Sequence, residues 1–126
     1  MSEAVSFPST FFSVARDGDR HLVTVERDQL TDEDNLEQFG QDFNLLIEKH
    51  EVMKFALLLS RVKYMTSSAI GKLITLHRKV NRLGGTLVLC ELNPDVSETL
   101  GTAQLLTYFN VSLDLATALQ ALTPES

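Results

Sequence analysis

Two spacings of apolar residues alternate along the chain. Residues 11–15 and 21–26 are short β-rich runs, and Val23 and Val25 would share one face of the second. Between them, Arg16-Asp17-Gly18-Asp19-Arg20 holds an Asp-Gly turn signal, so the two runs are predicted to pair as a hairpin. The period then lengthens: Leu36, Phe39, Phe43, Leu46 and Ile47 recur at helical spacing. Thr31 and Asp34, three residues apart, fit a capping box ahead of them, which predicts a first helix over roughly 33–49.

Residues 53–59, Met-Lys-Phe-Ala-Leu-Leu-Leu, are too apolar and too few for a surface helix. They read as a strand buried on both faces and therefore central in a sheet. Thr66-Ser67-Ser68 supplies capping hydroxyls for a second helix whose inward stripe is Ile70, Leu73, Ile74, His77 and Val80, and Gly84-Gly85 ends it. Residues 86–92 form the next strand, and Asn93-Pro94 starts a short helix running to about 101. Residues 105–111 return to the sheet edge, and Asp114 caps a last helix carrying Leu115, Ala118, Leu119 and Leu122. The order ββαβαβα(β)α specifies an α/β fold, a mixed sheet of about four to five strands with helices packed on it. Functional loops belong at the carboxyl ends of those strands.

A chain of 126 residues fits a single domain, here 1–126 with a core over about 11–122 and short flexible termini. The net charge of -6 argues against a nucleic-acid partner, whose phosphates need a basic footprint. Charge is also polarised. Residues 26–51 hold nine acids against Arg27 and Lys49, whereas residues 52–90 hold seven basic residues and no acid. These are helix faces that complement one another across the fold, or else two recognition surfaces of opposite sign. The longest apolar run, residues 55–59, is far shorter than the roughly 20 residues of a membrane helix, and residues 1–15 lack a signal-peptide pattern, so the default location is the cytoplasm. The single Cys90 cannot form an internal disulfide, in keeping with a reducing compartment.

The sequence supplies no enzyme site. Gly71-Lys72 invites a phosphate-loop reading, but Thr66 stands where glycine is needed and Leu73 where Ser or Thr is needed. No Gly-x-Ser-x-Gly elbow surrounds Ser67 or Ser68, and His21, His50 and His77 fall in different elements. Their spacing suits no metal site, and no cofactor is implied. His77 lies on an apolar stripe as a core or boundary histidine, and Cys90 in an apolar strand reads as an inert thiol.

Residues 62–73, Val-Lys-Tyr-Met-Thr-Ser-Ser-Ala-Ile-Gly-Lys-Leu, resemble the signature of STAS domains of the anti-sigma-factor-antagonist type, in which a strand enters a helix through a small or acidic residue and a serine pair. The basic, Gly-rich, apolar stretch 82–90 and the helical stretches 93–100 and 105–119 resemble the segments that follow in that family, so the likeness covers about residues 11–122. It implies a signalling module rather than an enzyme: a phosphoprotein of transcription regulation. Ser67 would accept phosphate from an anti-sigma factor with serine kinase activity and be reset by a phosphatase. Thr31, Asp32, Met65, Thr66, Ser67, Ser68 and Lys72 would form the partner-binding surface; Tyr64 and Met65 read first as supports of the loop, with an exposed Met65 as a partner contact the alternative. Two positions depart from the family pattern. Thr66 stands where Asp often precedes the acceptor, and Leu30-Thr31 replaces a common Leu-Asp, with Asp32 one place later. The alternative is a non-switching STAS scaffold in a larger regulatory or lipid-transport complex. The identity of the partner and the oligomeric state, a homodimer included, stay open.

A phosphate on a serine at a helix start meets unpaired backbone N–H groups and a favourable dipole, so it should leave the helix intact and act by repelling a partner. Without phosphorylation, the same three hydroxyls are simply caps.

Overall fold

The computed structural model describes residues 3–122, His50 by its backbone alone. In chain order they form β1 (Glu3–Val5), β2 (Phe12–Asp17), β3 (Arg20–Val25), β4 (Gln29–Leu30), α1 (Leu36–His50), β5 (Lys54–Leu58), β6 (Tyr64–Met65), α2 (Ser67–Arg82), β7 (Thr86–Cys90), α3 (Pro94–Thr102), β8 (Asn110–Ser112) and α4 (Leu115–Ala121).

The hairpin closes where the Asp-Gly signal places it. Asp17 pairs with Arg20 across Gly18 and Asp19, and Gly18 takes a φ of +65°, which a glycine adopts without steric cost. Five of the six strands in the main sheet, ordered β1-β2-β3-β5-β7-β8, correspond to expected ones, but the last is only Asn110–Ser112: residues 105–109, expected to begin it, form a turn in which the Tyr108 and Phe109 amides donate to the Leu105 carbonyl. The sixth is β1, antiparallel to β2. Its three residues carry too little apolar pattern to announce a strand. What holds it is cross-strand: Glu3 pairs with Arg16 at 3.3 Å. Downstream, Phe7 stacks on Phe12 at 5.6 Å and the Ser9 hydroxyl donates to buried Asp42 at 2.7 Å. The expectation of flexible ends falls otherwise on residues 1–2 and 123–126, outside the described residues.

β3, β5, β7 and β8 run parallel, so their carboxyl ends share one end of the sheet. β5 has a strand on each side and helices over both faces. Phe55 and Leu57 enter the core built with α1 and α2, while Ala56 and Leu58 meet Ala118, Leu122 and Leu115 on the α4 side. That two-sided burial is why residues 53–59 show no alternation.

The helix starts needed correction. α1 begins at Leu36 behind Asn35, whose side chain accepts from the Gln38 amide at 3.2 Å. Thr31 and Asp34 do pair, through the Thr31 amide to Asp34 Oδ2 at 2.8 Å, but they close a separate turn before the helix. Asn93 precedes α3 without capping it. Its amide nitrogen instead donates to the carbonyls of Ser60 at 2.8 Å and Val62 at 2.7 Å. Asp114 caps α4 as expected, accepting from the Thr117 amide at 2.9 Å, which holds its carboxyl below the usual carboxylate range.

Cys90 is fully buried, and burial pushes its thiol up to about 12, with Glu91 and Asp114 adding to the rise. His77, 5% exposed, lies against the rings of Tyr108 and Phe109. Its Nε2 sits 3.1 Å from Asn81 Nδ2, while its Nδ1 has no hydrogen-bond partner, so it is less fully satisfied than a core histidine usually is. Burial lowers its pKa, so between that lowered value and about 6.5 the unfolded chain binds the extra proton. The neutral imidazole's contribution is therefore complete above about pH 6.5 and is lost as pH falls below it. Urea unfolding at pH 7 and pH 5 should show a steeper loss for the wild type than for His77→Leu. Equal losses would refute this account.

Candidate functional site

The chain leaving β5 crosses the carboxyl end of the sheet before entering α2, and its path is fixed from two sides. Asn93, at the head of α3, holds the Ser60 and Val62 carbonyls. On the other side β4 pairs in parallel with β6, and backbone bonds from Lys63 to the Asp28 carbonyl (2.7 Å) and from Thr66 to the Leu30 carbonyl (3.0 Å) extend that contact. Leu30, Val62 and Met65 are all buried beneath it. A two-residue ladder is too short to hold by itself, and these side chains anchor it in the core.

Thr66 is the cap of α2. Its Oγ1 accepts from the Ala69 amide at 3.4 Å and donates to Asp32 Oδ1 at 2.9 Å. Ser67 and Ser68, expected to share the capping with Thr66, are instead the first and second helical residues. Both are exposed, and neither hydroxyl bonds to another described residue. Asp32, one place beyond its expected position, thus still brings a carboxylate beside the serine pair, through the residue that replaces the common Asp. Replacing Thr66 by alanine should cost about 1 kcal/mol, the usual value of a lost cap. Ser67→Ala should stay within about 0.5 kcal/mol of wild type, as an exposed substitution away from a cap does. A larger loss for Ser67→Ala than for Thr66→Ala in urea melts would reverse the assignment.

The serines border a shallow depression whose other walls include Asp32, Tyr64, Ile70 and Thr99. Met65 is 4% exposed and packs into the core, so the exposed side chain next to the serine pair is Tyr64, at 56%. Strand alternation turns one of these neighbours in and the other out. Thr31 spends its hydroxyl on the turn before α1, accepting from the Glu33 amide at 3.3 Å. Lys72 lies one turn along α2 from Ser68 and is paired with Glu37 at 3.1 Å. A second bridge, Lys79 to Glu48 at 2.9 Å, continues the seam. The acidic first helix and the basic second helix therefore face each other, which favours complementary faces over two separate recognition surfaces.

Of the expected site residues, Asp32, Thr66, Ser67 and Ser68 come together at one surface. Thr31 and Lys72 flank it, and Met65 supports it from below. Sequence reading missed Asn93 and Thr99 and gave Tyr64 a supporting role rather than an exposed one. Asn93 looked like an ordinary cap, and nothing local marks α3 as a neighbour of the serine loop. Neither serine is hydrogen-bonded to a histidine or a carboxylate, the arrangement that activates a serine nucleophile. Among the described residues there is no cluster of three potential metal ligands, and no helix is long and apolar enough to cross a membrane.

The fold recurs among known proteins. The family model of the STAS domain matches residues 16–118. An anti-sigma-factor antagonist (STAS) domain protein from Planctomyces limnophilus superposes with a TM-score of 0.77 at 18% identity, covering 88% of this chain and 97% of the other. An anti-sigma factor antagonist from Mycobacterium paratuberculosis gives 0.75 at 17% identity, covering 88% and 92%. The phosphorylated form of the Bacillus cell fate determinant SpoIIAA gives 0.65 at 15% identity, covering 89% and 99%.

Proposed function

This chain belongs to the STAS domain family, and from that premise we propose that it acts as an anti-sigma factor antagonist switched by phosphorylation of Ser67. In this reading the unmodified surface around Ser67 binds an anti-sigma factor that is also a serine kinase, in the cytoplasm, and a phosphatase restores the unmodified state. The observation that carries the proposal is the position of Ser67: exposed, unbonded, first in α2, on a loop braced by β4 and Asn93. A hydroxyl so placed is open to a kinase, and its phosphate meets the unpaired amides of the helix start. The added charge of about -1.5 to -2 then lies beside the carboxylate of Asp32. Two like charges on one rigid surface change what it can bind without refolding it.

The test pairs phosphate transfer with affinity. Incubation with a cognate anti-sigma kinase and ATP should label the wild type and leave Ser67→Ala unlabelled. Ser67→Ala should retain the partner, and Ser67→Asp should bind it at least tenfold more weakly. Absence of labelling together with equal affinities for the two variants would support a non-switching scaffold, the reading favoured by neutral Thr66 in a place where the family often has an acid.

A further inference from the structure

β8 ends the main sheet. It pairs with β7 on one side, and no described strand covers its other side. Open edges in natural sheets usually carry charges or proline that discourage pairing. The opposite edge, β1, carries Glu3 in an ion pair with Arg16. β8 and the residue after it read Asn-Val-Ser-Leu, without charge or proline. Leu113 is 87% exposed and Val111 37%, the first being the most exposed large apolar side chain among the described residues. The two are spaced to share one side of an extended chain. With Leu92, Ser97 and Ser112 they line a shallow depression against α3.

The segment that carries this edge holds charge of one sign. Residues 91–126 contain five acids and no Lys, Arg or His. Asp95 and Glu98 lie on α3 on either side of Ser97, and Asp114 follows Leu113. Elsewhere many acids are matched, as Asp19 is by Lys54, Asp34 by Arg27, Glu37 by Lys72 and Glu48 by Lys79, and those without a cation, such as Asp32 and Asp42, lie in the stretch that also carries Arg27 and Lys49. Glu91, Asp95, Glu98 and Asp114 make no salt bridge to a described residue.

From these observations we infer that β8 is a docking edge for an extended segment of a partner protein, in which apolar side chains alternate with Lys or Arg. The segment adds a strand to the sheet through its backbone, its apolar side chains cover Val111 and Leu113, and its cations face Asp95, Glu98 and Asp114. A second copy of this chain fits the edge less well, because it would bring two clusters of unmatched acids together. The two depressions share no lining residue, although both border α3, and the inference does not depend on the phosphorylation proposal.

Fluorescence anisotropy of the full chain tests it, with a labelled seven-residue peptide alternating valine and lysine as the probe. Binding should weaken at least tenfold in Leu113→Glu and in Val111→Glu. It should weaken similarly when the peptide backbone is N-methylated, and several-fold in Asp95→Asn/Glu98→Gln or between 50 and 300 mM NaCl. Ser67→Asp should bind the peptide like the wild type. No binding at millimolar peptide would overturn the proposal, as would affinity indifferent to Leu113→Glu or to N-methylation. Sedimentation supplies the remaining outcome. A concentration-dependent dimer of the wild type that Leu113→Glu abolishes would assign the edge to a second copy and overturn the peptide assignment.

Discussion

Truncating Phe55 to alanine should remove about 4 kcal/mol of stability, the middle of the range for a fully buried phenylalanine. Phe55 has no solvent exposure, sits between His21 of β3 and Leu87 of β7 in the ladder, and meets the Phe43 ring at 6.4 Å. Parallel strands on both sides and α1 above leave the surroundings little freedom to collapse into the space, so the cavity term stays near its full value. Against a total stability of about 5–15 kcal/mol, such a loss is roughly a quarter to four-fifths of the whole. Urea titration at pH 7 measures it. A cost below about 2 kcal/mol would mean that the sheet relaxes far more than its pairing allows.

The second large effect separates two adjacent glycines that serve different ends. Gly84 has a φ of +87° with nothing near its missing Cβ, so Gly84→Ala should cost about 1 kcal/mol of left-handed strain. Gly85 has no unusual φ. A Cβ there would overlap the Met53 carbonyl oxygen and come within 3.0 Å of Val80 Cγ1. That carbonyl cannot swing away cheaply, since it accepts the Thr86 amide at 2.8 Å at the start of β7. Gly85→Ala should therefore cost about 3 kcal/mol, the upper part of the usual range for overpacking. Equal costs for the two variants in parallel urea melts would show that the close approach at Gly85 relaxes freely.

Those glycines also show how the sequence can be right for an incomplete reason. Gly84-Gly85 is legible as a helix stop, but only the Met53 backbone, some thirty residues away in the chain, explains the second glycine. The hairpin, the buried central strand and the stripes of α1 and α2 were legible because each is a local repeat of apolar positions. β1, β4 and β6 were not, being two or three residues long and held by partners distant in the sequence. The candidate site divides in the same way. Ser67 and Ser68 at a helix start follow from local pattern and family resemblance. The bond between Asp32 and Thr66, residues 34 apart, depends on the β4–β6 contact and leaves no mark in either segment. The sequence offers Thr66 as one capping hydroxyl of three. It is the cap because only the residue before the first helical turn has extended backbone, here with ψ of 169°.

The small β4–β6 ladder has a mechanical consequence. It ties the segment ahead of α1 to the segment ahead of α2, through Gln29 with Tyr64 and Leu30 with Met65. Separating them would draw Leu30 and Met65 out of the core, at about 1.5–3 kcal/mol for each side chain. Thermal motion at the serine loop is then shared with the acidic turn that carries Asp32. A protein pressing on either segment displaces both helix starts together, as though gripping a single stiff handle.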